Sequence, residues 1–424
     1  MTTKKENADK SNGAPGSIHG TTDARAFTNR LRVLARHMEK RTAVPILNCA
    51  TLEFGPMETF AVSYYGVDFG MTAEIEGTGT GSIALPLQTL LAFVDNAGGD
   101  TVEFSKGEDD PAVTVKCGPA SATLTPITAE GRLVHMPTDP QSPSVGGIQA
   151  RDFHFGEGVL RHLAGFCMPF VSTEETRYYL NGVCFEFGDS VVRTVATDGH
   201  KLGVRETKTT AAVEEWKCRP IVPRITMAAI LDVMGDAQGV GVFEAVHIPE
   251  HEKEVQAANG PVKHTIREQW DVPRARFTGN GWVVTSKLID GNFPEWRRVV
   301  PKFEGQSIVT MKAAPLIRLA RMSKGMRGKG GGVAVKLETD TLDAITAKMR
   351  SPDFGTAEIR IDATLSAPLA SGHIGLNVGY LAGIAKAMGT PEICMYVQGH
   401  GDPMIITAPG EVGGDFAVLM PMRT

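Results

Sequence analysis

Three segments of this chain share one pattern of apolar residues, and this internal repeat constrains the fold more than any other feature. After Pro86, Pro223 and Asn377, apolar side chains recur at offsets of four, seven, eight and eleven. That spacing places them on one face of a helix. Proline is tolerated there because the first N–H groups of a helix have no intrahelical partner. The helical residues are Leu90, Phe93, Val94 and Ala97, then Met227, Ile230, Leu231 and Met234, then Leu381, Ile384, Ala385 and Met388.

An earlier helix and short alternating strands complete each repeat. Alternation over residues 101–104, 240–243 and 393–396 indicates strands with one buried face. The pattern predicts an α+β protein of three similar domains, each with two helices packed on antiparallel sheets. Chance similarity of three amphipathic helices is the alternative, and recurrence of the whole helix–turn–strand order argues against it. The earlier helices are marked by Leu31 and Leu34, Leu160 and Leu163, and Leu316 and Leu319.

Polar stretches that contain proline suggest where the domains divide. They lie at residues 137–143 and 301–305. Three domains also suit 424 residues at roughly 150 per domain. Residues 1–20 are polar and are expected to form a disordered tail, and residues 246–275 an extended loop. The predicted domains are 21–143, 144–303 (which contains that loop) and 304–424.

Composition and cysteine spacing exclude several classes of protein. The six cysteines form no CxxC pair, which argues against a zinc or redox motif and favours reduced thiols in the cytoplasm. No run of ~18 apolar residues predicts a membrane span, and the N-terminus lacks the apolar core of a secretory signal. The formal net charge of -5 means that any contact with nucleic acid depends on local basic patches.

Two of the predicted helices carry such patches. Arg25, Arg32, Arg36 and Lys40 follow one stripe in the first repeat. The third-repeat helix carries basic residues three positions apart. A run of charge on a helix is usually a solvated face, but two basic helices at matching repeat positions favour a surface that meets a polyanion. The third-repeat residues are Arg318, Arg321, Lys324 and Arg327.

Motifs that carry catalysis are missing from the sequence. The glycine-rich residues 77–82 lead into a strand, so the dinucleotide-binding context fails. Residues 197–200, Thr-Asp-Gly-His, are more typical of a turn than of an acid–base or metal site. An enzyme that uses Asp198 and His200 remains the alternative hypothesis. We expect no catalytic residue, cofactor or metal.

Four motifs taken together resemble the bacterial DNA sliding clamps, the beta subunits of DNA polymerase III. The likeness runs from about Asp23 to the end of the chain, and the third motif is the most specific. Such a resemblance implies three domains per subunit, two subunits joined head to tail in a ring, and no enzymatic activity. The motifs are Arg177–Gly182, Val195–Leu202, Thr285–Pro301 and Met420–Arg423.

The resemblance also implies the partners. These are double-stranded DNA bound without sequence preference, a second copy of the chain, the clamp loader, the replicative DNA polymerase, and repair polymerases and mismatch repair proteins. The proteins are expected to insert a short peptide into a hydrophobic pocket between the second and third domains. The matching pocket positions are Leu180, Thr197, Gly199, His200, Lys201, Leu202, Pro294, Arg298, Val299, Val418, Met420, Pro421 and Met422.

DNA-facing and subunit-interface residues follow from the same resemblance. Ala122 and Leu124 match one interface edge and Met322 the other, although Arg321 stands where the family has an apolar residue. Lys201 stands where the family usually has arginine, and Thr424 where an apolar residue is common. An accessory clamp that tolerates a clamp-directed inhibitor is therefore a further hypothesis. The DNA-facing positions are Arg32, Arg36, Arg41, Arg177, Tyr178 and Tyr179.

Overall fold

The computed structural model describes most of the chain. The described residues are 17–39, 42–55, 59–127, 148–188, 190–208, 218–248, 251–257, 260–266, 269–302, 307–326, 334–339, 341–351, 355–410 and 414–422. Predicted boundaries near residues 143 and 303, and the DNA-facing candidate Arg41, lie outside these ranges.

The first repeat folds around an aromatic core. Asp23 caps its first helix by accepting a hydrogen bond from the Ala26 N–H at 2.6 Å. Phe27 and Phe60 are fully buried, with ring centroids 5.5 Å apart. The elements are β1 (Ile18–Asp23), α1 (Ala24–His37), β2 (Cys49–Phe54), β3 (Thr59–Tyr65), β4 (Phe69–Pro86), α2 (Leu87–Ala97), β5 (Thr101–Lys106), β6 (Val113–Cys117) and β7 (Ala120–Leu124).

The second repeat follows the same order with a shorter first helix. That helix contains a π-helical turn at Arg161–Gly165, which buries Leu163 and Ala164. Short 3-10 turns lie at Met168–Phe170, Glu175–Leu180 and Trp296–Val299. The elements are β8 (Ile148–Phe155), β9 (Gly182–Gly188), β10 (Val191–Thr197), β11 (Lys201–Lys208), β12 (Ile221–Pro223), α3 (Arg224–Met234), β13 (Gly239–Ile248), β14 (His251–Ala257), β15 (Gly260–Ile266), β16 (Gln269–Gly279) and β17 (Trp282–Lys287).

The third repeat returns to two full helices. Asn377 caps the second of them by accepting hydrogen bonds from the N–H groups of Gly379 and Tyr380. The elements are β18 (Ser307–Lys312), α4 (Ala313–Lys324), β19 (Ala334–Thr339), β20 (Ala344–Ser351), β21 (Gly355–Leu365), β22 (His373–Asn377), α5 (Val378–Met388), β23 (Glu392–Val397), β24 (Met404–Thr407) and β25 (Phe416–Leu419). The predicted fold class is confirmed.

Backbone hydrogen bonds join neighbouring repeats into continuous sheets. The last strand of the second repeat, β17, pairs antiparallel with β4 of the first, and β25 of the third pairs with β11 of the second. Each joint therefore extends a sheet across two repeats instead of relying on side chains alone.

Two sequence predictions were wrong in detail. Residues 18–20 belong to β1 rather than to a tail, because Ile18 is buried and the strand pairs with β4 and β5. The region from residue 246 to 275 is not a loop. Its described residues form the ends of β13 and β16 and an antiparallel hairpin of β14 and β15. Its charged composition hid the strand pairing, since backbone hydrogen bonds stabilise a hairpin regardless of side-chain charge.

Candidate partner site and nucleic-acid surface

A hydrophobic cluster separate from the main core lies where the second and third repeats meet. Leu180 and Leu202 of the second repeat and Val418 of the third are each 3% exposed within it. Phe293 and Trp296 close the cluster from the segment between the two repeats. Three regions far apart in sequence therefore meet here, as the predicted site requires.

Backbone contacts set the geometry of this meeting point. Leu202 lies opposite Val418 in the β11–β25 pair. Beyond the pair, the Met420 N–H donates to the His200 carbonyl at 2.9 Å, and the Met422 N–H to the Gly375 carbonyl at 2.8 Å. The C-terminal segment is thereby held across both repeats, and Met420 and Met422 remain 40% and 37% exposed.

The Thr-Asp-Gly-His segment forms a turn. Asp198 Oδ1 accepts hydrogen bonds from the N–H groups of His200 and Lys201, each at 2.9 Å. Gly199 adopts a φ of +88°, which residues with a side chain rarely adopt. The Asp198 carboxylate is thus engaged with the backbone, and the His200 ring instead stacks on Tyr380 of α5 with centroids 6.1 Å apart. This geometry supports the turn interpretation over the enzyme hypothesis.

Lys201 points into the protein. Its Nζ donates to Asp198 Oδ2 at 2.7 Å and to the Pro169 carbonyl at 2.6 Å, and it lies 5.1 Å from the Tyr380 ring centroid. The side chain is 10% exposed. The Lys201 ammonium group therefore links the Thr197–His200 turn to Tyr380 of α5. The sequence did not identify Tyr380 as a residue of this site. The one sequence feature that could have indicated it is its position in the first turn of α5, three residues after the capping Asn377.

The Trp296–Val299 turn is anchored by a buried carboxylate. Glu186 accepts from Trp296 Nε1 at 2.9 Å and from the Arg297 guanidinium at 2.8 Å. Burial acts to raise the pKa of Glu186, but these two hydrogen bonds and the nearby Arg219 charge outweigh it and leave the pKa below its ordinary value. The anchor leaves Val299 53% exposed.

The remaining predicted partner residues lie around the cluster. Thr197 is half-buried and donates through Oγ1 to the Lys201 carbonyl at 2.8 Å. Pro421 is half-buried, whereas Pro294 and Arg298 are exposed, as are Gly199 and His200. The predicted set therefore combines a buried apolar base with an exposed rim.

The predicted DNA-facing residues are divided between two places. Arg32 and Arg36 lie on α1, and each forms an ion pair with an aspartate, Asp95 and Asp232 respectively. Arg177 lies beside the Thr197–His200 turn and pairs with Glu174 at 2.7 Å. Its neighbours Tyr178, which is 54% exposed, and Tyr179 have ring centroids 5.9 Å apart.

The predicted subunit-interface residues lie on a strand of the first repeat and on a helix of the third. Ala122 and Leu124 are half-buried on β7, the last strand of one sheet. Met322 is 48% exposed on α4.

No helix in the described part of the chain is long and apolar enough to cross a membrane.

Comparisons with known proteins agree with this geometry. Residues 166–295 match the family model described as DNA polymerase III beta subunit, central domain. The beta sliding clamp of Pseudomonas putida is 25% identical over 411 residues, covering 96% of this chain and all of that protein. The beta sliding clamp of Caulobacter vibrioides is 28% identical over 403 residues, covering 91% and 94%.

Solved structures share the fold. A sliding clamp from Bartonella birtlesii bound to griselimycin superposes with a TM-score of 0.77 at 24% identity, covering 96% of this chain and all of that one. One from Bacillus subtilis has a TM-score of 0.76 at 18% identity, with the same coverage. The relatives are named sliding clamps, which agrees with the prediction that this chain is not an enzyme. Together with the repeated fold, the matches show that the chain is similar along nearly its whole length to the DNA polymerase III beta subunits, the beta sliding clamps.

Proposed function

We propose that two copies of this chain close head to tail into a ring around duplex DNA, and that the ring tethers replication and repair proteins through the cluster between the second and third repeats. The observation that carries the proposal is that the two internal joints are built alike. Two strand edges, one in the first repeat and one in the third, could form another joint of the same kind and are left open within the described residues. DNA held in such a ring needs no sequence-specific contact, because escape requires the ring to open.

The third joint can be identified by matching positions in the repeats. In both internal joints a repeat's last strand, β17 or β25, pairs with the first residues of β4 or β11. The unmatched counterparts are β7 and the start of β21. Within the described residues, β7 pairs only with β6, and residues 355–362 of β21 pair only with β20. A second copy can satisfy both edges at once, which a single chain cannot.

The proposed partner site has the character of an anchor pocket with an adaptable rim. Leu180, Leu202 and Val418 supply a buried apolar floor. Met420 and Met422 add flexible side chains that suit varied ligands. Arg298 and His200 can orient polar groups of an extended peptide that carries two bulky apolar residues and a glutamine.

The proposed ligands of this site are peptide segments of the clamp loader, the replicative polymerase, and repair polymerases and mismatch repair proteins. The setting proposed is the cytoplasm, where the six free, buried cysteines stay reduced. Affinity should be micromolar, about -8 kcal/mol, because few side chains are engaged.

Linearising the DNA tests encirclement directly. Rings loaded on nicked circular DNA should stay bound through gel filtration and be lost after one restriction cut, because a free end lets the ring slide off. Sedimentation at micromolar concentration should report twice 45.4 kDa. A persistent monomer, or equal retention on cut and uncut DNA, would contradict the ring.

Deleting Met420–Thr424 tests the partner site. The deletion should abolish calorimetric binding of a polymerase-tail peptide and leave the dimer intact, because it removes the exposed rim beyond β25. Equal affinity of the intact and shortened chains would place the partner site elsewhere.

A further inference from the structure

The basic helices of the first and third repeats occupy equivalent positions but differ in the state of their charges. Each helix begins with the same backbone hydrogen bond. The N–H of Ala24, the first residue of α1, donates to the Asp100 carbonyl just before β5 at 2.8 Å. The N–H of Ala313, the first residue of α4, donates to the Pro391 carbonyl just before β23, also at 2.8 Å. Counting eight residues from these starts makes Arg32 and Arg321 equivalent.

The residue that faces Arg32 is reversed in charge in the third repeat. Arg32 pairs with Asp95, which lies nine positions after Pro86, the residue that caps α2. Nine positions after Asn377, which caps α5, stands Lys386. The interaction that neutralises the first-repeat arginine is therefore replaced by a second positive charge.

A second aspartate neutralises Arg36 of the α1 stripe, so that Arg25 is the exposed arginine of the stripe that forms no ion pair with another described residue. Asp232 of α3 pairs with Arg36 and lies 2.9 Å from His37 Nε2. On the third repeat, by contrast, Arg318, Arg321, Lys324 and Lys386 are all exposed, and none forms an ion pair with another described residue. We call these four residues the third-repeat patch.

We propose that the third-repeat patch, rather than the arginine stripe of α1, supplies most of the phosphate contacts of this ring. The inference rests on the proposed encirclement of DNA. An unpaired guanidinium or ammonium can neutralise a phosphate and release a counterion at no further cost, whereas Arg32 and Arg36 must first give up an aspartate. Exposed, unpartnered cations concentrated on one pair of helices in a chain of net charge -5 match the charge of duplex DNA.

Salt-dependent binding of a short linear duplex tests the inference, since a ring can thread onto it without a loader. The variant Arg318→Gln with Lys386→Gln should bind labelled duplex on the order of tenfold more weakly, and the slope of log affinity against log salt should fall by about one for each phosphate contact removed. Arg321 is left unchanged because it neighbours the interface candidate Met322.

Matched changes in the first repeat serve as the control. Arg32→Gln removes a charge that is already paired and should change affinity less than twofold, whereas Asp95→Asn releases Arg32 and should strengthen binding. Sedimentation should show every variant as a dimer, and thermal unfolding should show it as folded as the parent.

The outcomes separate this inference from the proposed function. Suppose that the parent ring binds duplex, and that Arg32→Gln lowers the affinity for duplex more than the double change Arg318→Gln and Lys386→Gln does. The assignment to the third repeat is then wrong, while encirclement stands. If the parent does not bind duplex at any salt concentration, both proposals fail.

Discussion

The two joints between repeats are built from the same strand pairing but from different side chains. At the first joint, Arg30 stacks over Trp282 at 5.1 Å, and Lys287 and Asp68 form a largely exposed pair at 3.5 Å. The second joint encloses the hydrophobic cluster and the buried carboxylate of Glu186. The two joints therefore share their strand pairing and differ in the side chains that surround it.

The difference has a structural cause. At the second joint, a connecting segment, residues 288–302, and the last described residues, 420–422, cross the meeting point of two repeats. They bring Trp296 and the two exposed methionines to it. We infer that these additions turn a plain joint into a site that can accept a peptide.

The largest effect is expected from truncating the tryptophan at each joint. Trp296→Ala and Trp282→Ala each remove a buried indole and should lower the free energy of unfolding by about 3–5 kcal/mol. Only Trp296→Ala should also weaken peptide binding, because it releases the Trp296–Val299 turn. Urea unfolding paired with calorimetry measures both quantities. Equal loss of peptide affinity in the two variants would contradict the difference between the joints.

A smaller effect is expected at the rim of the second joint. Met420→Ala should weaken a polymerase-tail peptide by about 1–2 kcal/mol, roughly tenfold in Kd, with no change in thermal stability, because the side chain is already 40% exposed. Val67→Ala, at 51% exposure in the first repeat, is the matched control and should leave affinity unchanged.

Lowering the pH should reduce the free energy of unfolding through the second joint. The pKa of Glu186 is lowered on folding, so its contribution to stability is present above its unfolded pKa, about 4.5, and is lost as pH falls through the lower folded value. Urea unfolding between pH 7 and pH 3 measures this loss. The Glu186→Gln variant should remove this part of the pH dependence, and an unchanged profile would assign the acid sensitivity to other carboxylates.

The smallest effect is expected at the exposed ion pair of the first joint. Lys287→Gln should change the free energy of unfolding by less than about 1 kcal/mol, because both partners are more than half exposed and solvent screens their attraction. Urea unfolding at low and high salt measures it. A larger loss would show that the first joint depends on this ion pair and not on its strand pairing.

The sequence by itself determined the repeat architecture. Amphipathic spacing after Pro86, Pro223 and Asn377 depends only on local periodicity, and the structure places helices at all three positions. The motifs also indicate which segments meet at the second joint, because the resemblance assigns Thr197–Leu202, Pro294–Val299 and Val418–Met422 to one site.

Only the tertiary structure decided which charges are available. Arg32 and Asp95 are 63 residues apart, and Arg36 and Asp232 are 196 apart, so no local pattern shows that they pair. The inward turn of Lys201 and the approach of Tyr380 likewise depend on how two repeats dock. Periodicity reports which face of an element is buried, whereas the partner of a charge is set by which elements meet, and that is a property of the assembled fold.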